Sequence, residues 1–270
     1  MKPGLRLALL ALVACANIAD AAPADGLFPG GAAAYLVKLD GRTLWSHEAD
    51  RALRPASLTK IMTALVFLES RKPLDGVVKV STAAASAGGS RLGLKAGEEM
   101  RAADALAATL VRSANDACLA LAEHVAGDKE SFARLMNRRA SALGLENTHF
   151  TNPCGHDEPR HRSSARDLAV LAETAMAQPA FARLVMTVEL RVSTLGGRRF
   201  DLANKNELLG RYPGAIGIKS GFTPGAGKCL VALARRDGVT VLLVLLNGKD
   251  RWWDSAAALD RAFAEAKPAR

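Results

Sequence analysis

The chain has 270 residues, 49% of them hydrophobic and 23% charged, so it holds one large domain, or one with a small lobe, and can bury a sizeable core. That composition excludes a disordered or low-complexity protein, and no repeat of solenoid length is present. The formal charge of +9 makes nucleic acid the first partner to weigh. Lys and Arg are scattered, however, and not interleaved with aromatics, so no nucleic acid is expected; an acidic polymer or membrane surface outside the cytoplasm fits better.

Residues 1–21 read as a cleaved export signal: Lys2 and Arg6 precede LALLALVACA, and Ala19-Asp20-Ala21 spaces small residues as a signal peptidase requires. The apolar run is too short to anchor in a bilayer, which starts the fold between Ala22 and Gly30. An alternative lies in Leu12-Val13-Ala14-Cys15, which looks like a lipobox and would leave a lipidated Cys15. No later segment is apolar enough to span a membrane. The expected location is periplasmic or otherwise extracytoplasmic, soluble after signal cleavage or tethered by lipid. Cys118, Cys154 and Cys229 remain; one pair can bond where two Cα atoms come within about 7 Å, and spacing does not choose it.

Tyr35 to Leu39 and Thr43 to His47 flank Asp40-Gly41, a hairpin signal between short strands. Pro55 suits the first turn of a helix over Ser57 to Ser70, whose apolar residues wrap most of its circumference, as in a central buried helix. Val77 to Val80 suggests a short strand, and Ala84 to Gly97 a loop rich in Gly and Ser. Helical spacing covers Arg101 to Val111, Asp116 to Ala126 and Lys129 to Leu143, with Gly127 and Gly144 as C-terminal caps. Thr148 to Ser164 is irregular and Ala165 to Ala177 helical. Leu190 to Thr194 pairs with Arg198 to Leu202 across Gly196-Gly197; Ala215 to Ser220, Leu230 to Arg235 and Val239 to Leu246 read as strands, and Trp253 to Ala266 as a closing helix. Consecutive hairpins around a block of helices imply a mainly antiparallel sheet with helices on its faces or in a separate lobe.

Within that order three short motifs stand out. Ser57 and Lys60 lie three apart at the head of the buried helix, so they share a face. A desolvated amine loses charge and can accept the serine proton, whereas a capping serine with an outward lysine would do nothing. Ser113-Ala114-Asn115 falls in a break between helices, and Lys219-Ser220-Gly221 ends a strand in AIGIKSGFT. Each tripeptide alone is uninformative. Their conjunction, in that order and separated by about 55 and about a hundred residues, is specific.

The triple resembles that of the penicillin-recognising serine enzymes, the superfamily of penicillin-binding proteins and serine β-lactamases. The likeness is strongest to the low-molecular-mass D-alanyl-D-alanine carboxypeptidases and extends through DGRTLWSHEADRALRPASLTKIMTA, GSRLGLKAGE, SANDACLALAEHVAG, LMNRRASALGLENTHFTNPCG, SSARDLA, NKNELL and GIKSGFTPGAGKCL. It implies an α/β (α+β) fold of the β-lactamase/transpeptidase type, with about five antiparallel strands flanked by helices plus a mostly helical lobe. It implies a serine peptidase that cleaves the terminal D-Ala-D-Ala bond of peptidoglycan stem peptides through an acyl-enzyme, with β-lactams as covalent inhibitors and no cofactor or metal.

Carried onto this chain, the resemblance makes Ser57 the nucleophile and Lys60 its base. Ser113 would relay a proton to the leaving D-alanine, Asn115 would hold the acylated peptide, and Lys219 would supply positive charge. Ser220 and Thr223 would bind the terminal carboxylate, Gly221 would leave room along the strand, and the backbone N–H groups of Ser57 and Phe222 would form the oxyanion hole.

Departures are visible too. Ser220 stands where Thr is usual, Ala114 where Gly is commoner, and Cys154 where His is frequent, which leaves the role of that loop open. Lys249 or Arg251 could supply the basic residue that assists the carboxylate site in many relatives. A second β-rich domain and an amphipathic tail, frequent in relatives, are not expected, so residues 22–270 read as a single catalytic domain.

Rival readings attach to the same residues. A D,D-endopeptidase cleaving crosslinks would use the same motifs, and a catalytically silent wall-binding protein would keep only the fold. A β-lactamase is disfavoured because no Glu-x-x-Leu-Asn precedes the later strands. His149, Cys154, His156, Asp157, Glu158 and His161 could crowd a zinc ion, although their spacing matches no standard zinc pattern. Trp252 and Trp253 are expected to pack on the sheet.

Overall fold

A computed structural model describes residues 26–266; the expected export signal and Cys15 lie outside the described residues. The chain opens with β1 (Ala32–Leu39) and β2 (Arg42–His47), joined through Asp40-Gly41, where both residues take positive φ. This is the backbone that Asp-Gly hairpins supply. A 3₁₀ turn over Ala56–Thr59 then leads into α1 (Lys60–Glu69). Every residue of α1 from Lys60 to Phe67 is buried, because apolar side chains point from all sides of the helix.

The lobe over α1 consists of β3 (Val77–Lys79), α2 (Thr82–Ala85), β4 (Glu99–Arg101), α3 (Ala102–Ala107), α4 (Asn115–Ala126) and α5 (Lys129–Ala142). Asp128 caps α5 by accepting from Ser131 N, and Gly127 ends α4 at φ 86°. After an irregular stretch come α6 (Ala165–Met176), α7 (Pro179–Met186) and the β5–β6 ribbon (Glu189–Ser193, Arg199–Ala203). The final run is β7 (Ala215–Thr223), β8 (Gly227–Arg236), β9 (Val239–Gly248) and α8 (Trp253–Glu265).

The five-stranded sheet has the order β2-β1-β9-β8-β7 with every neighbour antiparallel. Its two faces are both covered. Along β9, Leu242, Val244 and Leu246 enter the large core beneath the helical lobe, whereas Val241, Leu243 and Leu245 face α8, Leu208 and Tyr212. Burial on both faces explains why VTVLLVLL reads as a continuous apolar run and not as an alternation.

The expected architecture is thus present, with several differences. The one-turn helix α2, whose last two residues fall in the expected Ala84 to Gly97 loop, β4 and the two-turn helix α7 were not signalled; α7 starts with Pro at its first position and buries only Phe181 and Val185. The helix expected from Ser57 begins three residues later, after the 3₁₀ turn that carries the serine. The stretch Ala108–Arg112 widens into a π-helix and ends at Ser113 in the left-handed region, φ 60°. One expectation fails in part: Trp252 packs on the sheet, but Trp253 is 79% exposed because it opens α8 on the solvent side.

Candidate active site

The 3₁₀ turn, α4 and β7 meet around Ser57. Two glycines let them approach. A Cβ on Gly221 of β7 would come 2.8 Å from Ser57 N, and one on Gly155 would overlap the Ala56 carbonyl. The turn that carries Ser57 is therefore pressed between a strand and the 152–158 loop, with no room for side chains at either contact.

Lys60 is wholly buried, and among the described residues no carboxylate is hydrogen-bonded to it. Its Nζ lies 2.7 Å from Asn115 Oδ1, 2.7 Å from the Cys154 carbonyl and 3.0 Å from Ser57 Oγ. Desolvation first, and the charge of Lys219 second, hold its pKa well below the usual lysine value. A neutral amine has two hydrogens and one lone pair. With both hydrogens on the two carbonyl oxygens, the lone pair faces the Ser57 hydroxyl, which can donate to it.

Asn115 presents Oδ1 to Lys60 because its Nδ2 donates elsewhere, to the Gly88 carbonyl at 2.6 Å and to His156 Nε2 at 3.1 Å. The neighbouring Asp116 is structural: buried, it accepts from the backbone N–H groups of Leu92, Gly93 and Leu94 and so pins the GSRLG loop to α4. Ser113, brought inward by the π-helical turn, accepts from Lys219 Nζ at 2.9 Å. Lys219 also donates to the Ser220 carbonyl at 2.9 Å. It is 2% exposed, and burial, with Arg251 and Lys205 nearby, lowers its pKa to about 7.

The remaining positions on β7 are partly engaged. Ser220 donates its hydroxyl to the Lys205 carbonyl at 3.0 Å. Thr223 donates to Asp157 at 2.7 Å and accepts from Ala226 N at 3.0 Å, so its hydroxyl clamps the β7–β8 turn to the 152–158 loop. Phe222 is 60% exposed at the cleft edge. Of the two basic residues named as alternatives, Arg251 is the one at the site: it donates to the Gly221 carbonyl at 2.6 Å and stacks on Trp252, whereas Lys249 is exposed.

The possible zinc ligands do not converge. Cys154 is bonded to Cys118, His156 meets Asn115, Asp157 holds Thr223, and Glu158 accepts from Asn152. His161 bridges Thr59 and Thr151, its pKa lowered to about 4 by burial, so it stays neutral. Among the described residues no group of three or more His, Cys, Asp or Glu is placed to hold a metal.

Residues 30–250 match the peptidase S11 family of D-alanyl-D-alanine carboxypeptidases. The chain belongs to that family. It is 36% identical over 240 residues to the D-alanyl-D-alanine carboxypeptidase DacF of Bacillus subtilis, covering 86% of this chain and 62% of DacF. It therefore spans less than two thirds of that relative's length. It is also 32% identical to a D-alanyl-D-alanine endopeptidase of Pseudomonas aeruginosa, over 91% of this chain and 82% of the relative. The crystal structure of a D-alanyl-D-alanine carboxypeptidase from Mycobacterium tuberculosis superposes with a TM-score of 0.83 at 33% identity, covering 92% of this chain and 97% of that one. The fold expected from the resemblance is that of the S11 peptidases.

Two elements of the site carry no side-chain signature. The Cys154 and Gly88 carbonyls orient Lys60 and Asn115, yet any residue type offers a carbonyl. The sequence marks them only through the special backbone of Asn-Pro-x-Gly and Gly-Gly.

Proposed function

We propose that this protein is a serine D-alanyl-D-alanine carboxypeptidase acting on peptidoglycan stem peptides. The observation that carries it is the Lys60 amine, buried, uncompensated by any anion, and 3.0 Å from Ser57 Oγ. Ser57 Oγ attacks the carbonyl of the penultimate D-alanine while Lys60 takes its proton, and the backbone N–H groups of Ser57 and Phe222 receive the oxyanion. Each such donor typically contributes about 3 kcal/mol to the barrier.

Collapse of the tetrahedral adduct breaks the C–N bond. The leaving amine takes a proton from Ser113 Oγ, which Lys60 replenishes, and D-alanine departs. Water then cleaves the ester by the reverse relay, restoring Ser57 and releasing the shortened peptide.

Lys219 and Arg251 place positive charge at the end of the cleft where a terminal carboxylate would lie, which suits an exopeptidase. β-Lactams would acylate Ser57 in the same way and remain, since the amine expelled from the opened ring stays covalently attached and obstructs the water that the relay would activate. An extracytoplasmic setting and a stem-peptide partner belong to this reading.

Mass spectrometry of the protein with a D-Ala-D-Ala peptide, and separately with a crosslinked muropeptide, tests it. Loss of one D-alanine from the peptide with the crosslink intact supports the carboxypeptidase; opening of the crosslink alone replaces it with an endopeptidase. Absence of any penicillin adduct on Ser57 leaves a silent wall-binding protein.

A further inference from the structure

Cys118 and Cys154 are bonded, with Cα atoms 6.0 Å apart across a sequence separation of 36. Their positions relative to Lys60 are what matters. Cys154 is itself one of the two carbonyl acceptors of the amine, and Cys118 lies three residues beyond the other, Asn115, on the same first turn of α4. The covalent bridge thus joins the two elements that take the two hydrogens of Lys60. One of them is a helix. The other is a loop with no ladder of its own: Asn152 Oδ1 accepts from Gly155 N and His156 N within it, Thr63 donates to the Pro153 carbonyl, Thr223 and Gly225 N donate to Asp157, and toward α4 it offers His156 Nε2 to Asn115 Nδ2.

We propose that the Cys118–Cys154 disulfide is a positioning device for the base: it fixes the spacing of the Asn115 and Cys154 oxygens so that both hydrogens of Lys60 are consumed and its lone pair stays on Ser57. This rests on the proposed acyl-enzyme mechanism. Both cysteines are buried, at 0% and 2% exposure, so the bridge is shielded from solvent-borne reductants, as suits a fixed support. Without it the loop can draw away from α4 and water can enter beside Nζ. Hydration favours the ammonium form, so Lys60 would hold its proton to higher pH and the lone pair would lose its aim.

The test is a C118A/C154A double variant, which keeps both carbonyls. Acylation by a fluorescent penicillin and turnover of a D-Ala-D-Ala peptide are followed from pH 4.5 to 9, with the melting temperature measured alongside. The expected result is acylation at least tenfold slower at pH 7, an acid limb displaced to higher pH by half a unit or more, a deficit relative to wild type that narrows toward pH 9, and a loss in kcat larger than any rise in KM. A variant that melts earlier but keeps the wild-type rate and acid limb overturns the inference, because the bridge would then stabilise and nothing more.

Should the double variant not fold, the single variants C118A and C154A, which also lack the bridge, and C118V/C154A, which refills its volume, are assayed in its place. Slower acylation with a displaced acid limb in the variant that folds supports the inference; a wild-type rate and acid limb in it overturn the inference. If wild-type protein forms no penicillin adduct, the mechanism and the inference fall together. If it does and the bridge-free form matches it, the inference falls alone.

Discussion

Two buried lysines flank the cleft, and their surroundings differ in a way that separates their tasks. Lys60 sits among two carbonyls and a hydroxyl at the base of the helical lobe, with its charge disfavoured by burial and by Lys219. Lys219 sits on the sheet, touching one hydroxyl and one carbonyl, with Arg251 and Lys205 adding positive field and its pKa near 7. The two are coupled: keeping one neutral makes the other easier to charge. Burial without an anion is costly on both sides, and the proposed mechanism gives a reason for bearing that cost at the cleft: one amine would give up its proton and the other would keep one.

The comparison breaks most sharply at Lys60. Replacing it with Met removes the base while preserving length, and acylation by penicillin is expected to fall about a thousandfold or more. Retention of wild-type labelling by Lys60→Met would assign the proton to another group.

Lys219→Met should move activity and stability in opposite directions. Loss of the charge at Ser113 is expected to slow acylation by about a hundredfold. Meanwhile the variant should be more stable at pH 6, by roughly 1–3 kcal/mol, because a desolvated ammonium is replaced by an apolar chain. The sign with pH follows from the lowered folded-state pKa. Below about 7 both folded and unfolded chains hold the proton, so the folded state bears the whole desolvation penalty. Between about 7 and the ordinary lysine value the unfolded chain holds more protons, so wild-type stability rises with pH. The advantage of Lys219→Met in thermal melts should therefore be full below pH 7 and fade toward pH 10. An advantage that grew with pH would contradict a buried, depressed Lys219.

The same pair predicts the shape of the rate profile. Acylation should fall in acid as Lys60 gains a proton and fall again above about pH 7 as Lys219 loses one. A rate that stays level from pH 7 to 9 would show that the charge on Lys219 is dispensable.

What the sequence made visible follows from where the chemistry resides. In the proposed mechanism Ser57, Lys60, Ser113, Asn115 and Lys219 would act through side chains at fixed spacing, and the structure brings all five together. The start of the sheet was legible in Asp40-Gly41, because a tight hairpin requires positive φ at that turn. The Cys118–Cys154 pairing was not legible, because spacing says nothing of which loop folds onto α4. Nor was the clamp of Thr223 by Asp157, since the two are 66 residues apart and meet only once the 152–158 loop packs under the serine turn. Arg251 could be named only as one of two candidates; β9 must end before its side chain can turn in beneath Gly221.

Arg251 gives the smallest expected effect and sharpens the carboxylate end of the cleft. Its guanidinium donates to the Gly221 carbonyl, and its buried Nε has no hydrogen-bond partner among the described residues. An unpaired donor beside Lys219 is suited to an incoming anion. Arg251→Ala should raise KM for a D-Ala-D-Ala peptide about tenfold or somewhat more, the range of one charge-assisted hydrogen bond. It should leave kcat within about threefold, because the guanidinium is bonded to the Gly221 carbonyl and not to Ser57 or Lys60, and would bind ground and transition states alike. A peptide ending in an amide instead of a carboxylate should bind poorly to wild-type protein and show no further loss in the variant. Equal losses for both peptides would mean that Arg251 supports the strand and not the substrate.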